Sequence, residues 1–212
     1  MIPKLHYLSQ GSSPKEHLEN IQKACSGGAE LVQLRLKNIS EKKYLKLAAE
    51  AREITAHFQT RLLINGDYKI AKTIKADGVH LEKEDVCPII ARTHLYTWQI
   101  IGATANTFQD CEILINKQVD YISLSPFKVL KNQESLSKPL GLIGFKAIMD
   151  VLKTETPVIG TVGITIKDVK DILETGISGI GVSDEITRDF STIKVLNEIL
   201  KASSTEEKRH TF

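Results

Sequence analysis

The chain has 212 residues, 42% hydrophobic and 25% charged, with a formal net charge of +2. That size suits one domain with a sizeable core, and the near balance of charge gives no argument for a nucleic-acid or membrane-surface partner. No stretch reaches the roughly 18 apolar residues of a membrane span, MIPKLHYLSQ lacks the apolar core of a signal peptide, and Cys25, Cys87 and Cys111 form no C-x-x-C pair, so reduced thiols in a cytoplasm are expected.

In chain order, the first β-rich run is KLHYLS (4–9). A helical pattern follows in PKEHLENIQKACSGG, with Ser12 or Ser13 as N-cap and Gly27 as its stop. The second strand, LVQLRL (31–36), carries the alternation Gln33, Arg35, Lys37. Spacing two puts these three polar side chains on one face of a strand. Burying an unpaired charge there is costly, so that face meets a ligand, a carboxylate or water. SEKKYLKLAAEAREITAHF then reads as a helix with the stripe Tyr44, Leu47, Ala48, Ala51, Ile54 and Phe58. RLLIN (61–65) is the third strand, followed by a helix over 67–75, and GVHLE (78–82) is the fourth. VCPIIARTHL is a poor helix because Pro88 interrupts it. The fifth strand is WQIIGA (98–103), then come a helix over 107–117, DYISLS (120–125), a helix over 142–153 and PVIGTV (157–162). Helix 166–175, strand GIGVS (179–183) and helix 185–201 close the pattern.

About eight strands alternating with helices in one domain predict parallel pairing and a (β/α)8 barrel over residues 1–202, with a polar tail at 203–212. An open doubly wound sheet is the alternative. A barrel does its chemistry at the carboxyl ends of its strands. There the chain places Arg35 and Lys37; Asn65, Gly66 and Asp67; Glu82, Lys83, Glu84 and Asp85; Thr104 and Asn106; Ser123 and Ser125 with Lys128 and Lys131 beyond; Thr161 and Gly163; and Ser183 and Asp184. Cations, carboxylates and glycine-bearing turns at one face suit a phosphorylated substrate handled with a metal ion.

The segments VQLRLK (32–37), LLINGDYKIAKTIKADGVHLEKED (62–85), IIGATANT (100–107), DYISLSPF (120–127), PLG (139–141), PVIGTVGIT (157–165) and GISGIGVSDEI (176–186) resemble the thiamine phosphate synthase and thiazole tautomerase superfamily. They fall in family order and at family spacing over nearly the whole barrel. For the synthase branch the resemblance implies a reaction that joins hydroxymethylpyrimidine diphosphate to thiazole phosphate and releases pyrophosphate. It also implies Mg²⁺, which takes hard oxygen ligands and offsets the charge of a leaving diphosphate. The expected partners are these small phosphorylated substrates, and homo-oligomerisation is left open.

Carried over by position, the resemblance gives Arg35, Lys37 and Lys131 to the diphosphate as catalytic residues. Gln33 and Asn65 go to the pyrimidine end, Thr104 to a substrate contact where the family has a serine, Asp85 to the metal, and Gly163 and Ser183 to the thiazole phosphate. The chain departs from the family at several of these places. Gly66 stands where a metal-binding aspartate is usual, leaving Asp67, one position later, as the second ligand. A Gly-Gln pair usually precedes the acids that here follow Glu82 and Lys83. Val162 replaces a glycine, and its side chain crowds the close backbone approach a phosphate needs. Asp184 replaces a serine, and like charges about 4 Å apart at an effective dielectric near 20 repel by about 4 kcal/mol. Asp184 is expected to escape this by capping the last helix.

Other residues have plainer readings. His80 reads as a core histidine with satisfied hydrogen bonds in preference to a base, and Trp98 and Phe127 read as packing residues. Glu84 and Asp85 also fit a solvated loop, and Lys128 and Lys131 fit a solvated loop or a lid over phosphate. The tautomerase branch expects a histidine near Ser125, yet no histidine lies between His94 and His210. A tautomerase, or a non-catalytic paralogue binding a thiamine-related ligand, remains the alternative to the synthase.

Overall fold

A computed structural model describes residues 1–129 and 138–207. The chain runs β1 (Leu5–Leu8), α1 (Pro14–Ser26), β2 (Leu31–Leu34), α2 (Glu41–His57), β3 (Arg61–Asn65), α3 (Tyr68–Thr73), β4 (Gly78–Leu81), α4 (Pro88–His94), β5 (Ile100–Ala105), α5 (Phe108–Asn116), β6 (Tyr121–Leu124), α6 (Gly141–Val151), β7 (Val158–Thr161), α7 (Val169–Glu174), β8 (Gly179–Val182), α8 (Asp184–Arg188) and α9 (Thr192–Glu207). The eight strands pair in parallel, each with its neighbours in sequence. β1 closes the ring on β8 in the register Leu5 to Ile180. This is the expected (β/α)8 barrel, with no open sheet edge to protect.

Period-two alternation explains how short, wholly buried strands build two different surfaces. Val32, Leu34, Leu62, Ile64, Val79, Leu81, Ile101, Ile122 and Leu124 join the main core with helix residues such as Ile21, Ala48 and Phe145. Their sequence neighbours Leu31, Leu63, Tyr121 and Ile159 form a separate small cluster. Two residues further along, toward the carboxyl ends, β2, β3, β6 and β7 turn polar, with Gln33, Asn65, Ser123 and Thr161. The barrel therefore has an apolar floor and a polar mouth. Tyr121 fills the floor so closely that a Cβ at Gly102 would lie 2.0 Å from its ring.

Local signals set the helix starts. Ser13, of the two serine candidates, caps α1 by accepting from the Glu16 backbone N–H at 3.2 Å, with Pro14 in the first turn. The α2 stripe is buried at Tyr44, Leu47, Ala48 and Ala51, and Ile54 and Phe58 pack beside it half-buried.

Five expectations need correction. Pro88 starts α4 instead of interrupting it, since a first-turn proline gives up an N–H that has no helical partner anyway. β5 begins at Ile100, two residues after Trp98, which is 52% exposed and stacks on Tyr96 instead of packing. β2 ends at Leu34, so Arg35 and Lys37 belong to the following loop and not to a strand face. The last helix is two, because Asp189 turns its carboxylate onto the Ser191 N–H and hydroxyl at 2.9 and 2.7 Å. Asp184 makes no capping bond: Ser183 holds the N-cap position of α8, also without a side-chain cap.

Candidate active site

At the carboxyl end of the barrel a cleft of about 490 Å³ is lined by Arg35, Lys37, Val162, Gly163, Ser183 and Asp184. Ser9, His17 and Arg188 border it too. Ser9 stitches two loops together: its hydroxyl accepts from the Arg35 backbone N–H at 3.0 Å and lies 2.9 Å from His17 Nδ1. The first of these fixes the chain just past β2, so Arg35 is aimed by backbone and not by strand pleat.

Beside the cleft a polar network spans four successive strand ends. Glu82 Oε1 accepts from Arg35 Nη2 at 3.3 Å and from Asn65 Nδ2 at 3.2 Å. Its Oε2 accepts from the Thr104 hydroxyl at 2.8 Å. Thr104 Oγ1 lies 2.9 Å from His80 Nε2, and His80 Nδ1 lies 2.8 Å from the Tyr121 hydroxyl. Because the Thr104 proton goes to Glu82, Thr104 accepts from His80 Nε2–H. His80 Nδ1 then accepts from Tyr121.

Burial pushes the imidazole of His80 down to about 4 despite the nearby Glu82, so it is neutral at neutral pH, as a core histidine should be. Burial opposes ionisation of Glu82, but the Arg35 guanidinium and the hydrogen bonds from Thr104 and Asn65 hold the carboxyl below its ordinary range. Burial also pushes the Tyr121 hydroxyl well up, leaving it a hydrogen-bond donor and not an acid.

The structure brings Gln33, Arg35, Asn65 and Thr104 to this mouth, and Lys37, Gly163 and Ser183 to the cleft beside it. Lys131 lies outside the described residues. Lys128 is exposed and ion-pairs with Asp168 at 2.6 Å. Phe127 is buried against Phe145, as a packing residue should be.

Two donors stand out. Gln33 Nε2 and Arg35 Nε are buried and have no hydrogen-bond partner among the described residues. A buried unpaired donor costs about 1–3 kcal/mol, so the wall is built for an acceptor that the protein does not supply.

The two aspartates expected to hold metal are partly committed. Asp67 is the N-cap of α3, and its Oδ1 accepts from the Lys69 and Ile70 N–H groups at 2.9 Å. Asp85 Oδ2 accepts from the Glu82 N–H at 2.7 Å. Among the described residues no three His, Cys, Asp or Glu side chains converge as a metal cage. Each aspartate nevertheless keeps one oxygen with no hydrogen-bond partner among the described residues. Burial, and then Glu82, Glu84 and Asp67 as like charges, push the Asp85 carboxyl above its ordinary range. A hard cation would relieve that repulsion, and two carboxylates match the one or two that Mg²⁺ commonly takes from a protein.

At the other end of the cleft Val162 keeps a backbone φ of +67°, a conformation that L residues with branched side chains rarely adopt. Gly163 follows at φ +79°, and a Cβ there would meet the Lys128 carbonyl at 2.6 Å. The Ser183 hydroxyl donates to Gln10 Oε1 at 3.1 Å. Glu185 Oε1 accepts from the Ile166 N–H at 3.2 Å, at the turn that opens after β7. Asp184 lines the cleft and has no ion-pair or hydrogen-bond partner among the described residues.

Sequence reasoning assigned no role to Glu82 or His17. The strand-end rule does place Glu82 at the mouth, directly after β4, but the family pattern has a glycine there and so lends it no role. His17 carried no signal, because a lone histidine on an apolar helix face looks like core.

The fold is a parallel (β/α)8 barrel with a polar cleft at the carboxyl ends of its strands, the place where barrel enzymes carry their active sites. The family model described as thiamine monophosphate synthase matches residues 7–186. A thiamine-phosphate synthase of Flavobacterium johnsoniae is 39% identical over 96% of this chain and 99% of its own. That of Bacteroides thetaiotaomicron is 34% identical over 91% and 96%. A solved thiamine phosphate pyrophosphorylase from Pyrococcus furiosus superposes with a TM-score of 0.80 at 24% identity, covering 96% of both chains. The chain belongs to the thiamine monophosphate synthase family, and with it to the transferases of thiamine biosynthesis.

Proposed function

We propose that this barrel joins hydroxymethylpyrimidine diphosphate to thiazole phosphate, giving thiamine phosphate and pyrophosphate. The observation that carries the reading is the pair of buried donors without a partner among the described residues, Gln33 Nε2 and Arg35 Nε, with Arg35 and Lys37 both lining the cleft. A pyrimidine nitrogen and diphosphate oxygens are acceptors of the kind such a wall lacks.

In this assignment Arg35, Lys37 and Lys131 hold the diphosphate and stabilise the charge that develops on it. Gln33, Asn65 and Thr104 orient the pyrimidine. Asp85 and Asp67 offer one oxygen each to Mg²⁺, which when bound adds further neutralisation of the leaving pyrophosphate. Gly163 and Ser183 border the place of the thiazole phosphate, where Asp184 and Val162 make the subsite narrower and more acidic than the family pattern. Forming the carbon–nitrogen bond requires no strong base, so a neutral His80 is compatible with the reaction. No helix among the described residues is long and apolar enough to cross a membrane, and Cys25, Cys87 and Cys111 are all unpaired thiols. The unpaired thiols fit a reducing compartment such as the cytoplasm.

The test is a coupling assay with purified protein, Mg²⁺ and both substrates, with thiamine phosphate followed by mass. Product at an enzymatic rate supports the synthase. Folded protein without product turns the assignment to tautomerisation or to ligand binding alone.

A further inference from the structure

Glu82 has no role in the assignment above, and it stands where the family pattern described earlier has a glycine. Its carboxylate holds Arg35, Asn65 and Thr104, three residues from three different strand ends that all serve the pyrimidine diphosphate. The side chain is 28% exposed, so it faces the mouth while remaining bound to the wall. Gln33 Nε2 and Arg35 Nε, the unpartnered donors, belong to the same wall. A wall that offers buried donors next to a carboxylate acceptor suits a heterocycle with both an acceptor nitrogen and a donor amine. The aminopyrimidine half of thiamine has both.

Resting on the joining reaction proposed above, we propose that Glu82 is a catalytic residue that accepts from the exocyclic amine of the bound pyrimidine and stabilises the positive charge formed as pyrophosphate leaves.

The charge balance supports it. The bond between the methylene carbon and the diphosphate oxygen breaks, and its electron pair leaves with pyrophosphate. The carbon is left electron-poor, and its positive charge spreads through the ring to the amine. The lone pair of the thiazole nitrogen then forms the new carbon–nitrogen bond, and the charge passes to the thiazolium. No proton moves, so the carboxylate is ionised from start to finish. The hydrogen-bond chain from Tyr121 through His80 and Thr104 points every proton toward Glu82 and keeps His80 neutral. No member of that chain carries a charge, and Arg35, at 3.3 Å from Oε1, offsets only part of the carboxylate charge. A fixed charge of this kind acts on the transition state more than on the ground state, because the ring is neutral until the diphosphate departs.

The experiment compares wild type, Glu82→Gln and Glu82→Asp with the natural pyrimidine diphosphate and with an analogue whose amine is replaced by hydrogen. Glu82→Gln should lower kcat on the order of 100-fold or more and raise the KM for the pyrimidine diphosphate by the about tenfold that a lost amine contact costs, with the KM for thiazole phosphate and the Mg²⁺ concentration for half-maximal rate little changed. Glu82→Asp, which keeps the charge, should recover part of the loss. The analogue should react slowly with wild type and lose little further rate in Glu82→Gln. A Glu82→Gln enzyme within threefold of wild type overturns the proposal. So does a loss repaired by more Mg²⁺, which would make Glu82 a metal ligand, or an equal loss for both substrates, which would make it a brace for Arg35. If the wild type makes no thiamine phosphate, the synthase reading fails separately. Titration of the aminopyrimidine alcohol then decides Glu82: tenfold weaker binding to Glu82→Gln upholds the amine contact, and equal binding overturns it.

Discussion

Arg35 and Lys37 are two residues apart in the same loop, yet their surroundings differ. Arg35 is bound to Glu82 and its backbone to Ser9, whereas Lys37 is exposed at the cleft and has no partner among the described residues. Removing Lys37 therefore sacrifices no contact of the folded protein. Lys37→Ala should lower turnover about 100-fold by withdrawing a cation from the leaving diphosphate, with an unchanged urea midpoint. A steady-state assay beside an unfolding curve checks both halves. Asp184 presents the opposite case, a charge of the wrong sign with nothing to hold it. Asp184→Ser should lower the KM for thiazole phosphate about tenfold, less than the bare Coulomb figure because the residue is half-exposed and screened by salt. At this scale the sequence was most informative where a polar residue interrupted an apolar run, as at Gln33. It was least informative about what each carboxylate would do. Asp67 and Asp85 were legible as acids near a strand end, but their use of backbone N–H groups depends on loop geometry. Glu82 gained its importance only through three partners far apart in sequence.

Among the elements, α5 shows how a loop at the mouth is anchored. Thr107 accepts from the Asp110 N–H at 3.1 Å, and Asp110 Oδ2 accepts in return from the Asn106 and Thr107 N–H groups at 2.9 and 3.1 Å. Lys83, from the loop after β4, pairs with the same carboxylate at 2.9 Å. Burial opposes this charge, but the Asn106 N–H, Lys83 and Thr107 outweigh it and hold the carboxyl below its ordinary range. Asp110→Ala should cost about 2 kcal/mol, the upper end for losing a helix cap, measured by urea unfolding. Thr107, Phe108 and Asp110 made this helix readable from sequence to within one residue. The elements that were misread have local causes. Trp98 looked like strand because aromatics favour strands, but it stacks with Tyr96 in the turn before β5. Pro88 looked like a breaker because the start of α4 had no side-chain cap to announce it.

Across the whole molecule the barrel interior carries two neutral imidazoles. Burial pushes His6 down to about 3 and His80 down to about 4. His6 Nε2 lies 3.0 Å from the Pro3 carbonyl, and its ring meets Tyr121 edge-on. In the unfolded chain both titrate near 6.5. Between about pH 6.5 and 4 the unfolded state thus binds protons that the folded state refuses. Their contribution to stability is complete above about pH 6.5 and falls as the pH drops through that window, by at most about 2.7 kcal/mol per pH unit for the two together. Urea unfolding at pH 7.5, 6 and 5 should show that decline, and His80→Asn should roughly halve its slope. The eight-fold rhythm of the barrel was readable because strands and helices alternate along nearly the whole chain. The split between an apolar floor and a polar mouth was not, because a fully buried strand is apolar on one face and mixed on the other.

The buried Gln33 and Arg35 donors have no partner among the described residues and are free to take one from a ligand. Whatever satisfies them binds the folded chain and not the unfolded one, so it adds RT ln(1 + [L]/Kd) to stability, about 2.7 kcal/mol at a hundredfold excess over Kd. The melting temperature should therefore rise with pyrimidine diphosphate concentration, without any thiazole present. Inside a cell, the lifetime of this chain would then follow the supply of its own substrate, with scarcity exposing it to proteases and plenty sheltering it.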